Sequence, residues 1–363
     1  MSENPIYPGI KFMKFVFSLI FLILLTAPIE LHAQITEPDK FQNDKSLVRV
    51  PVIVSDREGH YITDLKKEDF SVYQDGVPQK ITFFATYDEP LSIALLIDTS
   101  GSTRENLENI KDAGREFINL LKPNDQCLLA TFDSQLNILN PFSTNHQNLK
   151  DSLNRIQTAE KEGTVLRNAI KQIFENSFVN VEGRKVIVLL SDGKDFGSSV
   201  TKEELLNQLE ESDILIYSIF YKTGITFNKV TISSNGTFEE IKPAKPVKQP
   251  KPVKKKVYTI SIPAQIDLPT EEDMELREKA RDIEAVDTLK KLSDTTAGRF
   301  YTSDASKLKE VFKQIISELS KQYVLGYQAN DQANDQMTHD INVKVGRAEV
   351  VVRTRGKFRT KRL

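Results

Sequence analysis

Sulfur and histidine are scarce in this sequence. One cysteine, Cys127, in 363 residues excludes a disulfide scaffold, a cysteine-built zinc site and an iron–sulfur cluster. Four histidines, none spaced as a pair of metal ligands, leave no histidine-rich site. Neither sign of charge dominates. The 49 basic and 51 acidic residues give a net charge of -2, which argues against a chain whose main task is gripping nucleic acid. Fifteen glycines and fifteen prolines are too few for a collagen-like or wholly disordered chain. There is no Gly-x-Ser-x-Gly elbow and no Walker phosphate loop. What remains for site chemistry is oxygen, from Asp, Glu, Ser and Thr. Hydrophobic residues make up 39% of the chain, enough for a sizeable core, and the length suits two to three domains.

The first 34 residues stand apart. Lys11 and Lys14 precede an apolar run from Phe15 to Leu25, and a more polar stretch closes at Ala33. This run has the length of a secretion-signal core and falls short of the about 20 apolar residues of a membrane-spanning helix. The expected outcome is cleavage near Ala33–Gln34 and a secreted or periplasmic protein, with an uncleaved membrane anchor as the alternative. An unpaired Cys127 suits an oxidising compartment, since it has no partner within the chain to mispair with.

Three regions follow. Residues 46–88 read as a small β-rich segment: Leu47 to Val54, then Phe70, Val72 and Tyr73, then the Asp75–Gly76 turn and Ile81 to Phe84. Residues 90–320 alternate strand and helix. Ile93–Ile97, Cys127–Phe132, Val186–Leu190 and Ile214–Phe220 are continuous apolar runs, as expected of strands buried on both faces. Ile110, Ala113, Phe117 and Ile118, and later Val311, Phe312, Ile315 and Leu319, recur at helical spacing. Such alternation predicts an α/β fold, a doubly wound, mainly parallel sheet with helices on both faces. Residues 223–281 interrupt it as an insertion, with flanking strand-like pieces at Val230–Ile232 and Val257–Ile262 that could pair as a hairpin. Within it, Lys242–Lys256 holds seven lysines and four prolines, the composition of an extended, solvated tether, or else of a basic arm for an acidic polymer or anionic surface. Residues 322–363 alternate again as strands. Neither β-rich end has enough residues for a comfortable core of its own, so the two are expected to pack together as one small β-sandwich-like domain.

The residues that carry chemistry sit at strand ends. The strand Ile93–Ile97 runs into Asp98-Thr99-Ser100-Gly101-Ser102, and Val186–Leu190 runs into Ser191-Asp192-Gly193. Ligands of open α/β sheets bind at the carboxyl ends of strands. Gly163-Thr164 lies between the two, just before a helix. One carboxylate and two hydroxyls at alternate positions of a loop, with a second carboxylate and a threonine elsewhere, form an all-oxygen set suited to a hard cation. Each residue also has a plainer use: Asp98, Ser100 and Ser102 in turn chemistry, Thr164 as a helix cap, Asp192 as a turn residue before Gly193. Asp195 and Asp133 are further acidic candidates for structural or outer roles, and His60, His146 and His339 read as isolated surface or loop residues.

Asp98-x-Ser100-x-Ser102, then Gly163-Thr164, then Asp192-Gly193 resemble the von Willebrand factor type A domain, in the order and strand context of that family's metal-ion-dependent adhesion site. Leu65, the Asp69-Phe70-x-Val72 run and Asp75-Gly76 also resemble a bacterial secreted subgroup. The resemblance covers about residues 90 to 320. It implies a Rossmann-like domain and a divalent cation, Mg²⁺ with Mn²⁺ or Ca²⁺ as alternatives. Ser100, Ser102 and Thr164 would hold it, with Asp98 and Asp192 acting directly or through water. It also implies a non-enzymatic adhesion role, in which a protein partner supplies an acidic residue to the open position of the ion. Nucleic acid is not an expected partner, and a membrane is one only if the N-terminal segment stays uncleaved.

Three rivals are weighed against this. A magnesium phosphatase of the haloacid-dehalogenase type needs Asp-x-Asp in its first loop; Ser100 stands at the second position and cannot protonate a leaving group at neutral pH. A structural envelope protein with a non-adhesive metal site would retain the same residues. A third reading makes the lysine-rich insertion the functional element.

Overall fold

The structure is a computed structural model that describes residues 47–86, 89–159, 163–221, 231–232, 238–239, 270–328 and 337–359. The stretch read as an export signal and the lysine–proline tether lie outside the described residues. Four strands come first: β1 (Leu47–Asp56), β2 (Phe70–Gln74), β3 (Val77–Gln79) and β4 (Ile81–Ala85). The α/β region follows, with β5 (Leu91–Asp98), α1 (Leu107–Leu120), β6 (Gln126–Phe132), β7 (Leu136–Ser143), α2 (His146–Asn154), α3 (Leu166–Gln172), β8 (Arg184–Ser191), α4 (Lys202–Glu210) and β9 (Leu215–Tyr221). The short pair β10 (Thr231–Ile232) and β11 (Phe238–Glu239) precedes α5 (Glu271–Thr295), β12 (Phe300–Ser303) and α6 (Leu308–Leu319). β13 (Tyr323–Gln328), β14 (Thr338–Val345), β15 (Val350–Thr354) and β16 (Lys357–Arg359) complete the described chain.

The central sheet has the order β12-β9-β8-β5-β6-β7. Its pairs are parallel except β6–β7, which is antiparallel. All eight residues of β5 are buried, because both faces of the sheet are covered. Ile93, Leu95 and Ile97 face Phe117 of α1 and Phe312 and Ile315 of α6. Ala94 and Leu96 face Leu166 and Ile170 of α3, Leu205 of α4 and Leu289 of α5. Two-sided covering is why these strands read as uninterrupted apolar runs rather than as alternating ones. The expected doubly wound, mainly parallel sheet is what the chain forms.

The two ends of the described chain meet in a β-sandwich. One sheet has the order β15-β1-β13-β4, the other β16-β14-β2-β3. Val48, Val50, Val52 and Val54 of β1 alternate inward with Tyr323, Leu325 and Tyr327 of β13, onto Phe70, Val72, Ile341 and Val343 of the second sheet. Phe70, Phe84 and Tyr323 cluster with ring centroids 5.1 to 5.9 Å apart. β13 is antiparallel to both β1 and β4, with Val50 opposite Leu325 and Leu325 opposite Phe84. The strand that leads into the α/β region and the strand that leaves it are therefore hydrogen-bonded neighbours. Where sandwich and α/β region touch, Glu318 of α6 is fully buried. It accepts hydrogen bonds from Tyr217 Oη (2.6 Å) and Tyr61 Oη (3.1 Å) and pairs with Arg299 (3.2 Å) and Arg353.

Three local features differ from the sequence reading. α5 starts at Glu271, inside the stretch read as an insertion. Its first turns carry almost no buried residue, so no apolar stripe announces them, and the helix is set instead by a capping box between Thr270 and Asp273. Thr231–Ile232 pairs with Phe238–Glu239; the other piece expected to pair there, Val257–Ile262, lies outside the described residues. His339 is no isolated surface residue: it lies in β14, its ring stacked on Phe358 at 5.3 Å between centroids and its Nδ1 2.7 Å from Asp75 Oδ2. Among the described residues no helix is long and apolar enough to cross a membrane.

Candidate metal centre

The carboxyl ends of β5 and β8 lie side by side, since the two strands pair in parallel with Ile97 opposite Leu190. Asp98 closes β5 with no exposure to solvent, and Asp192 follows β8 at 4% exposure. The loop after Asp98 is anchored to β6 by the Thr99 N–H, which donates to the Phe132 carbonyl at 2.9 Å. It then turns so that the Ser100 N–H donates to Asp98 Oδ1 (2.9 Å) and the hydroxyls of Ser100 and Ser102 stand 3.0 Å apart. Ser191 donates its hydroxyl to Asp98 Oδ2 at 2.7 Å and accepts from the Gly193 N–H at 2.9 Å. Asp98, Ser100 and Ser102 are thus brought together by direct hydrogen bonds, and Ser191 ties them to the loop of Asp192.

Gly193 is required where it stands. Its φ of +76° is left-handed, and a Cβ there would sit 2.9 Å from the Ala285 carbonyl oxygen of α5. Asp192 is fixed at the rim by this close packing.

Thr164 is 4% exposed and is held by its backbone against the loop that follows Asp192. Its carbonyl accepts from the Phe196 and Gly197 N–H groups (3.0 and 3.1 Å), and the next residue, Val165, donates to the Asp133 carbonyl at 2.8 Å. Asp195 clamps the same two loops. Its Oδ2 accepts from the Arg167 N–H (2.9 Å) and its Oδ1 from the Ser198 N–H (3.0 Å). Asp133 holds its own turn, accepting from the Ser134 hydroxyl and the Gln135 N–H. Both acidic residues therefore serve the loops that carry the site.

Electrostatics set Asp98 apart. Burial first, and the nearby Asp192 carboxylate second, push it up to about 7 from an ordinary 3.8, while hydrogen bonds from Ser100 and Ser191 act the other way. Lys194 pairs with Asp282 (3.1 Å) and Glu278 (3.9 Å) of α5. Two buried carboxylates with neighbouring hydroxyls are the oxygen donors that suit a hard divalent ion. Asp98, Ser100, Ser102, Thr164 and Asp192 are the five positions that the sequence offers as its ligands.

Two contributors were not singled out from the sequence. Ser191 stands between the apolar run Val186–Leu190 and Asp192, and that position was the available signal. Tyr221 lies one residue beyond the apolar run Ile214–Phe220, and only its place at the end of the neighbouring strand β9 points to the rim.

Residues 93–194 match the von Willebrand factor type A domain family, a stretch that contains all five oxygen-bearing residues. No curated protein matches the chain. Among solved structures, proximal thread matrix protein 1 from the mussel byssus is similar at 14% identity, over 67% of this chain and 49% of its own, with a TM-score of 0.43. This chain spans about half the length of that protein, which has also been solved with a zinc-occupied MIDAS motif. An aerotolerance-related membrane protein from Bacteroides fragilis is 17% identical over 64% of this chain and 99% of its own, with a TM-score of 0.43. The von Willebrand factor domain of the type V pili tip protein Mfa5 from Porphyromonas gingivalis is 14% identical over 63% and 94%, with a TM-score of 0.37.

Proposed function

We propose that the rim of the central sheet holds one divalent cation, Mg²⁺ with Mn²⁺ or Ca²⁺ as alternatives, and that the protein is an exported, adhesion-type binding protein. The observation that carries this is the buried Asp98–Asp192 pair at the adjoining carboxyl ends of β5 and β8, beside the Ser100 and Ser102 hydroxyls. A bound ion would supply an electrophilic coordination position that a partner's carboxylate can fill. The chain's own residues do the rest. Asp98 and Asp192 supply the negative charge. Ser100, Ser102 and Thr164 supply neutral oxygens, which leave the ion's charge incompletely compensated and ready for an acidic partner. Asp195, Gly193 and the Thr99 N–H keep the three loops in register.

Binding rather than catalysis is favoured by what surrounds the serines. The Ser100 hydroxyl faces the Ser102 hydroxyl. His60 and His339 belong to the sandwich and engage Asp56 and Asp75, while His146 starts α2. Among the described residues no serine is paired with a histidine base, as nucleophilic catalysis asks.

Calorimetric titration of the purified protein with Mg²⁺ and Mn²⁺ tests the reading. One ion is expected to bind the wild type, and none the folded Ser100→Ala, Ser102→Ala double variant. Wild type that takes up no divalent ion at saturation refutes it. Pull-down from the native envelope, with Mg²⁺ against chelator, then tests the partner: capture that survives both chelator and the double variant assigns the site a structural role instead. Mass measurement of the protein isolated from its native cells tests export, and a chain that retains residues 1–34 refutes cleavage.

A further inference from the structure

Tyr221 ends β9, and the register that sets Ser191 opposite Phe220 places it beside the loop of Asp192. The side chain has no exposure to solvent. Strand alternation sends it, with Tyr217 and Ile219, toward the face covered by α1 and α6. Its hydroxyl is buried with no hydrogen-bond partner among the protein atoms. The polar side chains that act on it are Asp98, Asp192 and Thr103, and burial together with the two carboxylates drives the phenol well above its ordinary range. The Thr103 hydroxyl donates to the Ser100 carbonyl at 2.9 Å and does not complete a hydrogen bond with the phenol.

A buried hydroxyl without a partner is costly, and native proteins seldom keep one. Phenylalanine would fill the same space among the same apolar neighbours. Ionised carboxylates accept and do not donate, whereas the phenol has one proton to give. We infer that Tyr221 is a positioning residue of the rim site, its hydroxyl donating by way of a water molecule to the Asp98–Asp192 pair and orienting both carboxylates for the ion. The inference rests on the cation reading given above. Outer groups of this kind fix the direction of a ligand's lone pairs, and their loss weakens metal affinity by about 10- to 100-fold.

The test is Tyr221→Phe, with Thr103→Val as a comparison, read by Mn²⁺ calorimetry and by thermal melting in chelator. The expected result is Mn²⁺ affinity about 10- to 100-fold weaker in Tyr221→Phe, with a metal-free melting temperature equal to the wild type or higher, because nothing is left unpaired. Unchanged Mn²⁺ affinity overturns the inference. So does a metal-free melting temperature that falls as far as in Thr103→Val while affinity holds, since the hydroxyl then only braces the loop. Wild type without Mn²⁺ uptake is a separate outcome that overturns the cation reading itself.

Discussion

Replacing Asp98 by asparagine probes the repulsion at the rim directly. In the folded, metal-free protein Asp98 is pushed up to about 7 from 3.8. A group raised in this way contributes its full stability below its unfolded value and loses it as pH climbs through the folded one. Metal-free wild type therefore weakens between about pH 4 and pH 7, by an amount on the order of 4 kcal/mol for a shift of roughly three units. Asparagine removes that penalty. It keeps an acceptor for the Ser100 N–H, but the Ser191 hydroxyl, which already accepts from Gly193, loses the acceptor for its own proton, at about 1 kcal/mol. Asp98→Asn should thus be about 3 kcal/mol more stable than wild type at pH 8 in chelator, and within about 1 kcal/mol of it at pH 5. Urea denaturation at the two pH values measures this. Excess Mg²⁺ should reverse the order at pH 8, because only wild type gains from ligand linkage. An Asp98→Asn protein that is weaker than wild type at pH 8 without metal would refute the argument, since the two carboxylates would then not be in conflict.

Two further outcomes concern the scaffold. Gly298→Ala should cost about 3 kcal/mol or more, because its Cβ would lie 1.9 Å from the Ile216 carbonyl oxygen; a thermal melt within one degree of wild type would contradict the packing of α5 on β9. Glu318→Gln should cost about 3 kcal/mol by stranding Arg353, which is mostly buried, and weakening Arg299, which is part-exposed; a guanidinium midpoint unchanged from wild type would show that this buried network holds nothing together.

The strands that carry Asp98 and Asp192 were legible because burial on both faces leaves apolar runs that end abruptly at a charged residue. The helices α1 and α6 were legible from the stripes they press onto that sheet. The start of α5 was not, because Leu276 and Ile283 point into solvent and a helix without a packed face shows no period. Ser191 and Tyr221 were hidden for another reason: each sits in an apolar strand, and its polar neighbours come from other strands. The partnership of Val50 with Leu325 is likewise invisible to local pattern, since each strand alternates in the same way whatever pairs with it.

That partnership has a consequence for how the molecule is made. Leu47 finds Gln328 across roughly 280 intervening positions, a closure whose entropy cost no local turn can lower. Adjacency of β4 and β13 offers a way round. Once the α/β region has assembled, its two exits emerge together, and the distant strands then meet as if joined by a short loop. On this account β1 waits during synthesis, and what makes the sandwich quick to close is the prior folding of the domain hung inside it.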